Sequence, residues 1–354
     1  MIAAARRKLR PLYRKHLKGV ANYVYDFRRF ARSYNAHSAL TAMDREQAIT
    51  HLLRTMHSLE KGLALPVPKP GFGYQKAVVL QHEAQAYQTR FGRDEIYRDC
   101  MAVLADYTDY QARNGRILED FDLDTLRREA GGVHAGAREV SRDEIWQASR
   151  IDFAAFAKSR SSVRMFSDAP VRRDDILAAI EIAGKSPSVC NRGVGRAYYT
   201  TDPRTITALL AHQNGNLGYG DSAGAVIVVA ADMRAFYKPG ERNQGWIDGG
   251  LFAMSLNFAL HALGYGVCML NWSMEAAEDR AFRAQFGIPD AHLVVMLMAV
   301  GNIPETLRVA VSPRREIGQY AFSLDGDEPS AGPPPAREEA QVEPARCETE
   351  NAAP

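Results

Sequence analysis

Long apolar runs are missing from this chain. No stretch approaches the roughly 20 apolar residues that a membrane-crossing helix needs. The two most apolar segments, AGAVIVVAA (223–231) and HLVVMLMAVG (292–301), have the length of strands. Cysteine is scarce too. Cys100, Cys190, Cys268 and Cys347 are the full set, and none forms a CxxC pair. That usage excludes a disulfide framework and fits a reduced compartment. An excess of one charge is also absent. The net charge of +2 excludes a dedicated nucleic-acid binder. The N-terminus is basic but lacks the apolar segment of a secretory signal. The expectation is a soluble, cytoplasmic protein with no nucleic-acid partner and no membrane span.

What is there falls into three regions. Residues 1–148 are rich in Ala, Leu, Arg, Glu and Gln, with few β-branched runs, and predict a mostly helical N-terminal extension. LPVPKPGFG (65–73) and GGVHAG (131–136) interrupt it, because proline and glycine do not continue helices. Residues 149–322 alternate helix and strand signals. Strands are expected at 197–201, 225–231, 267–271 and 294–300. Ser149 with Asp152 resembles a capping box, and Asp174 or Asp175 is a candidate cap for a helix closed by Gly184. Asp202-Pro203 opens another helix, and Ser273 opens one that ends near Gly287. A helix over 249–263 is apolar on nearly every side, so a core or a partner subunit should bury it. Residues 323–354 are rich in Pro, Glu, Ala, Gly and Asp and predict a disordered tail.

Chemistry-bearing residues cluster in the middle region. SRSSVRMF (159–166) interleaves Arg160 and Arg164 with Ser159, Ser161 and Ser162. In an extended segment alternate residues share a face, so Arg160, Ser162 and Arg164 should point together. Guanidiniums make forked bonds to phosphate and to planar acceptors. SPSVCNRG (186–193) adds Ser188 and Asn191, and SPRR (312–315) adds Arg314 and Arg315. A helix beginning DGGLFAMSLN leads into VCMLNW.

These segments, in this order, resemble the nitroreductase family over about residues 150–322. The matching features are R-S-S-x-R, P-S-x-x-N, the strand AVIVVAAD, a D-x-G-opened apolar helix ending in A-L-G-Y-G, a G-I-P turn, a strand ending at Gly301, and a closing basic pair. The resemblance implies an α+β fold: a mixed, mainly antiparallel sheet flanked by helices, built as an intertwined homodimer with FMN at the interface. It implies that Arg160, with Arg314 or Arg315, holds the phosphate, with Ser161 and Ser162 in the same segment. Arg164 would sit beside the pyrimidine end of the flavin and favour its anionic reduced form. Pro187, Ser188 and Asn191 match the segment given by the other subunit. Asn216 (or Asn214) falls near the pyrimidine edge, and Met269, Leu270 and Asn271 match the strand end near flavin N5. The implied activity is hydride transfer from NADH or NADPH through FMN to a small electrophilic acceptor of nitro or quinone type, in ping-pong fashion. No general base is expected, since the cofactor carries the redox chemistry.

One departure bears on the pocket. Arg192-Gly193-Val194-Gly195 stands where the family often has Gln-Pro-Trp, so a large wall residue is missing. Gly193-Val194-Gly195 lacks the third glycine and the following helix of a dinucleotide fingerprint. Cys190 and Cys268 lack an oriented histidine, and Cys268 suits inert packing. His57 and Glu60 have metal-ligating i, i+3 spacing, but a polar helix face is favoured and no metal is assigned. HSLEKGL (57–63) resembles a segment in N-terminal extensions of nitroreductase-like proteins from bacterial polysaccharide clusters, without giving a residue a role. Membrane-surface contact by the basic N-terminus is not favoured over packing on Tyr13, Tyr23, Tyr25, Phe27 and Phe30. The rival functions are another flavin enzyme of the superfamily (dehalogenase-, azoline-oxidase- or flavin-fragmenting-like) and a degenerate interaction module linked to polysaccharide biosynthesis.

Overall fold

The computed structural model describes residues 17–37 and 39–324. Most of the basic N-terminal cluster, including Tyr13, and nearly all of the expected disordered tail lie outside the described residues. Helices come first: α1 (Gly19–Ser33), α2 (Arg45–Leu63), α3 (Tyr74–Phe91), α4 (Glu95–Arg113), α5 (Leu123–Ala130) and α6 (Arg142–Ala148). Local chemistry starts them. Asp44 and Gln47 form a capping box on α2, and Ser141 and Glu144 form one on α6. Asp94 and Asp122 cap α4 and α5. Gly131 ends α5 in the left-handed conformation. On α2, Leu52, Met56, Leu59 and Leu63 recur at helical spacing and are buried. They share one core with Leu80, Tyr87, Leu104 and Tyr107, all contributed by residues 40–130.

Helix α1 packs elsewhere. Phe30 stacks on Phe236, with ring centroids 6.2 Å apart, and belongs to a cluster with Ala231 and Leu293. Arg29 is buried and donates to the carbonyls of Asp290 and His292 at 3.0 and 2.9 Å. Tyr25 is half-buried, whereas Tyr23 and Phe27 are exposed. Of the aromatic residues expected beneath the basic face, only part of the set is therefore packed.

The second region carries α7 (Phe153–Ser159), α8 (Arg173–Ala183), β1 (Gly195–Thr200), α9 (Pro203–Leu210), β2 (Ala225–Asp232), α10 (Gln244–Ala262), β3 (Tyr265–Asn271), α11 (Ala276–Phe286) and β4 (His292–Asn302). The four strands lie in the order β1-β2-β4-β3, and every neighbouring pair is antiparallel. A parallel bridge from Ser162 to Val267 makes the sheet mixed at its β3 edge. Every residue of β2 is buried, as expected of a central strand with helices on both faces. One face holds Phe252, Leu256 and Leu260 of α10 with Ile176 and Ala179 of α8. The other holds Ile206 and Leu209 of α9 with Phe282 of α11. The chain is thus an α+β protein.

Several ends differ from the sequence reading. Asp152 itself caps α7, while Ser149 closes α6. Arg172 occupies the N-cap of α8, and Asp174 and Asp175 sit in its first turn, where they complement the helix dipole. Helix α11 begins behind Glu275 rather than Ser273, and α10 begins five residues before the expected 249. Residues Ala310–Pro354 form a separate unit, of which 310–324 hold a 3₁₀ turn at Ile317–Gln319.

Candidate functional site

The arginine-bearing segment runs along the edge of β3. Val163 donates its N–H to the carbonyl of Val267 at 3.0 Å, and Ser167 donates to Asn302 at 2.9 Å. Two glycines permit this approach. A Cβ on Gly266 would stand 2.7 Å from Val163, and one on Gly301 would stand 2.5 Å from Phe166. Val163 and Phe166 are buried, which anchors the segment while Arg160, Ser161 and Ser162 stay half-buried and Arg164 exposed.

Arg160 and Ser161 line a pocket of about 180 Å³ with Ser159, Asn257, His261 and Tyr265. Ser162 and Arg164 are not in its wall, so the expected single face of Arg160, Ser162 and Arg164 does not form there. The bridge at Ser162 turns the two guanidiniums to different surroundings. Arg164 donates to the Ser162 carbonyl at 3.5 Å, and its charge and a side-chain hydrogen bond act on the Tyr219 phenol, whose pKa burial raises. Neither Arg160 nor Arg164 has a carboxylate partner among the described residues.

Two pocket residues escaped the sequence reading. Asn257 is buried, and its Oδ1 has no hydrogen-bond partner; its Nδ2 faces the Met269 sulfur at 3.4 Å. His261 Nε2 stands 2.7 Å from Ser159 Oγ. Burial, then the charge of Arg160, holds the His261 pKa below 6.5. A signal existed. Asn257 and His261 are polar residues spaced i, i+4 on an otherwise apolar helix.

The segment 187–191 is held rigidly by groups outside it. Asp248, at the head of the D-x-G signal, accepts from the Val189 N–H at 3.1 Å. The Ser188 hydroxyl accepts from the Gly193 N–H at 3.0 Å. Cys190 and Asn191 have φ of 49° and 53°, a left-handed pair that side chains rarely adopt. Pro187 and Asn191 are exposed, and Ser188 is half-buried. Arg192 is buried, pairs with Glu241 at 2.9 Å, donates to the Ala235 carbonyl at 2.7 Å and lies over the Tyr237 ring at 5.0 Å. The departure Arg192-Gly193-Val194 is therefore a structural anchor, with Val194 fully buried.

Asn216 donates to the Leu210 carbonyl at the end of α9, so its amide nitrogen serves the fold; Asn214 is exposed. Gln213, unnoticed in the sequence, ties this loop to the carbonyl of Asn271. At the end of β3, Leu270 is buried, Met269 half-buried and Asn271 exposed, donating to Ser273 at 2.9 Å. Arg314 and Arg315 belong to the separate unit. Both are exposed, and Arg314 donates to the Ser312 carbonyl. On α2, His57 stands 3.6 Å from Glu60. Among the described residues, no group of three His, Cys, Asp or Glu is placed to hold a metal.

These features define an α+β fold in which an extended basic segment docks beside a central apolar helix. Residues 195–302 match the sequence model of the nitroreductase family. Solved structures resemble about half of the chain. An FMN-dependent nitroreductase from Clostridium difficile is 20% identical, with a TM-score of 0.41, covering 48% of this chain and 98% of its own. A nitroreductase family protein from Streptococcus pneumoniae is 20% identical, with a TM-score of 0.42, covering 49% and 100%. A nitroreductase-like protein from Streptococcus mutans is 20% identical, with a TM-score of 0.43, covering 49% and 98%. No curated protein matches the chain. No helix among the described residues is long and apolar enough to cross a membrane.

Proposed function

We propose that this protein is an FMN-dependent NAD(P)H oxidoreductase that acts as a cytoplasmic homodimer on a small electrophilic acceptor. One observation carries the reading: Arg160, a half-buried cation with no carboxylate partner among the described residues, lines a pocket with Ser161 and Asn257, whose buried Oδ1 has no hydrogen-bond partner among them. An unpaired cation and a buried acceptor fit a phosphate and a hydroxylated chain, which FMN carries. Bound FMN supplies hydride transfer between nicotinamide and acceptor. The chain's own residues bind and orient. Arg160 and Ser161 would grip the phosphate. Arg164 and the strand end at Met269–Asn271 would hold the flavin ring.

The pocket of about 180 Å³ is smaller than the roughly 300–1,000 Å³ of typical ligand sites, so one chain supplies only part of the site. The exposed loop Pro187–Asn191 supplies the rest to a second copy. Buried Cys100 and Cys268 are free thiols, which suits a reduced compartment. The absorbance spectrum of purified protein tests the reading. A flavin spectrum, bleached by NADH or NADPH, with FMN released on denaturation, is the expected result. Colourless protein that takes up no FMN refutes it and favours the interaction module.

A further inference from the structure

A second pocket, of about 430 Å³, opens between α2 and α3 in the helical region. Its walls are two facing stripes at helical spacing: His51, Arg54 and Ser58 on α2, and Lys76 and Glu83 on α3. At one end, cations gather without counter-charge. Lys76 Nζ donates to Ser58 Oγ at 2.5 Å, and neither Lys76 nor Arg54 forms an ion pair among the described residues. The Arg54 guanidinium lies over the Tyr237 ring at 4.1 Å, which fixes its plane.

At the other end, polar atoms are buried without partners. His51 Nε2 meets Glu83 Oε1 at 2.7 Å, and the His51 side chain is only 8% exposed. A carboxylate only accepts, so Nε2 carries the proton. His51 Nδ1 and Glu83 Oε2 are then two buried atoms with no hydrogen-bond partner. A buried polar atom left without a partner is costly, and a bound group relieves that cost. Hydroxyl groups satisfy both, since they donate to a carboxylate and either donate to or accept from an imidazole nitrogen.

We propose that this pocket binds a small organic oxyanion that also carries hydroxyl groups. Arg54, Lys76 and Ser58 hold the oxyanion, and His51 and Glu83 hold the hydroxyls. A phosphate ester and a hydroxylated carboxylate both supply this chemistry. The site is separate from the Arg160 pocket and does not depend on the flavin reading. It lies near the segment 187–192, because Arg54 and Arg192 both approach the Tyr237 ring.

Calorimetric titration of the full-length protein, saturated with FMN, tests the proposal. The probes are inorganic phosphate, ribose, ribose 5-phosphate and gluconate. Ribose 5-phosphate or gluconate should bind about ten-fold or more tighter than inorganic phosphate, and the tighter of the two names the source of the oxyanion. Ribose alone should not bind. Lys76→Gln, at an accessible position, should weaken the anion by about ten- to a hundred-fold, the worth of a hydrogen bond to a charged group. Lys76→Glu should abolish binding, and both variants should keep their FMN content. Three results would overturn the proposal: no probe binding at millimolar concentration, binding unchanged in both Lys76 variants, or binding lost in Arg160→Ala but kept in Lys76→Gln. Hydroxylated anions binding no tighter than phosphate would overturn the assignment of His51 and Glu83.

Discussion

Arginine shows how environment, rather than residue type, sets a role. Arg192 and Arg160 carry the same group. Arg192 is spent on Glu241, Ala235 and Tyr237, whereas Arg160 has no carboxylate partner among the described residues. Truncating Arg192 leaves the Glu241 carboxylate poorly solvated and unpaired. Arg192→Ala should lower unfolding free energy by about 3 kcal/mol or more in urea titration, and FMN should fall away with the loop. The two candidate flavin arginines should separate cleanly. A phosphate keeps its charge on flavin reduction, so Arg160→Ala should weaken oxidised and reduced FMN alike, by about ten- to a hundred-fold. Arg164→Ala should instead shift the flavin potential negative by some tens of millivolts, since about 1.4 kcal/mol is about 30 mV for two electrons. Potentiometry of both variants checks this, and a shift in Arg160→Ala alone reverses the assignment.

Elements are held by close approach and by buried polar knots. The segment 160–166 reaches β3 only because Gly266 and Gly301 lack side chains. Gly301→Ala puts a methyl 2.5 Å from Phe166, and overpacking of this kind costs about 1–3 kcal/mol. Thermal unfolding should report that loss, accompanied by weaker FMN retention. Helix α1 is tied down by Asp279, which accepts from Tyr25 at 2.5 Å, Trp272 at 2.9 Å and Arg283 at 3.0 Å. Burial alone would raise the Asp279 pKa. The bonds from Tyr25 and Trp272 and the charges of Arg29 and Arg283 outweigh it and hold the carboxyl below its ordinary 3.8. A depressed folded pKa gives stability that is complete above 3.8 and lost as pH falls through the folded value. Hydrogen exchange should therefore show residues 19–33 opening below about pH 4, and Asp279→Asn should open them at neutral pH as well.

For the whole molecule, the outer face of α10 bears on the proposed homodimer. Trp246, Ile247 and Leu251 are 42–53% exposed on a helix whose other side is buried in the sheet. Contiguous apolar surface of this kind marks an interface. Sedimentation should show a dimer that persists on dilution. Ile247→Glu with Leu251→Glu should yield monomer that loses FMN, because each site then lacks the loop 187–191 of the second copy. A stable, flavin-loaded monomer would overturn both expectations.

Much of this was legible in residue order alone. Strand cores at 197–200, 225–231, 267–271 and 294–300 were visible because continuous apolar runs suit a buried sheet. Gly287 and Asp202-Pro203 marked helix ends because their backbone preferences are local. Gly301 and Asp248 stood out as motif positions, though not for the contacts they make. What only the tertiary structure decided is which charges are spent. Nothing local distinguishes Arg192, buried on Glu241 across 49 residues, from Arg160. The same holds for Arg29, which reaches Asp279 across 250 residues and turns an expected basic face into a buried clamp. The pocket of His51 and Glu83 needs two helices laid side by side. Backbone preference and apolar patterning act over a few residues and are written in order; ion pairing and desolvation depend on neighbours that only the fold brings together.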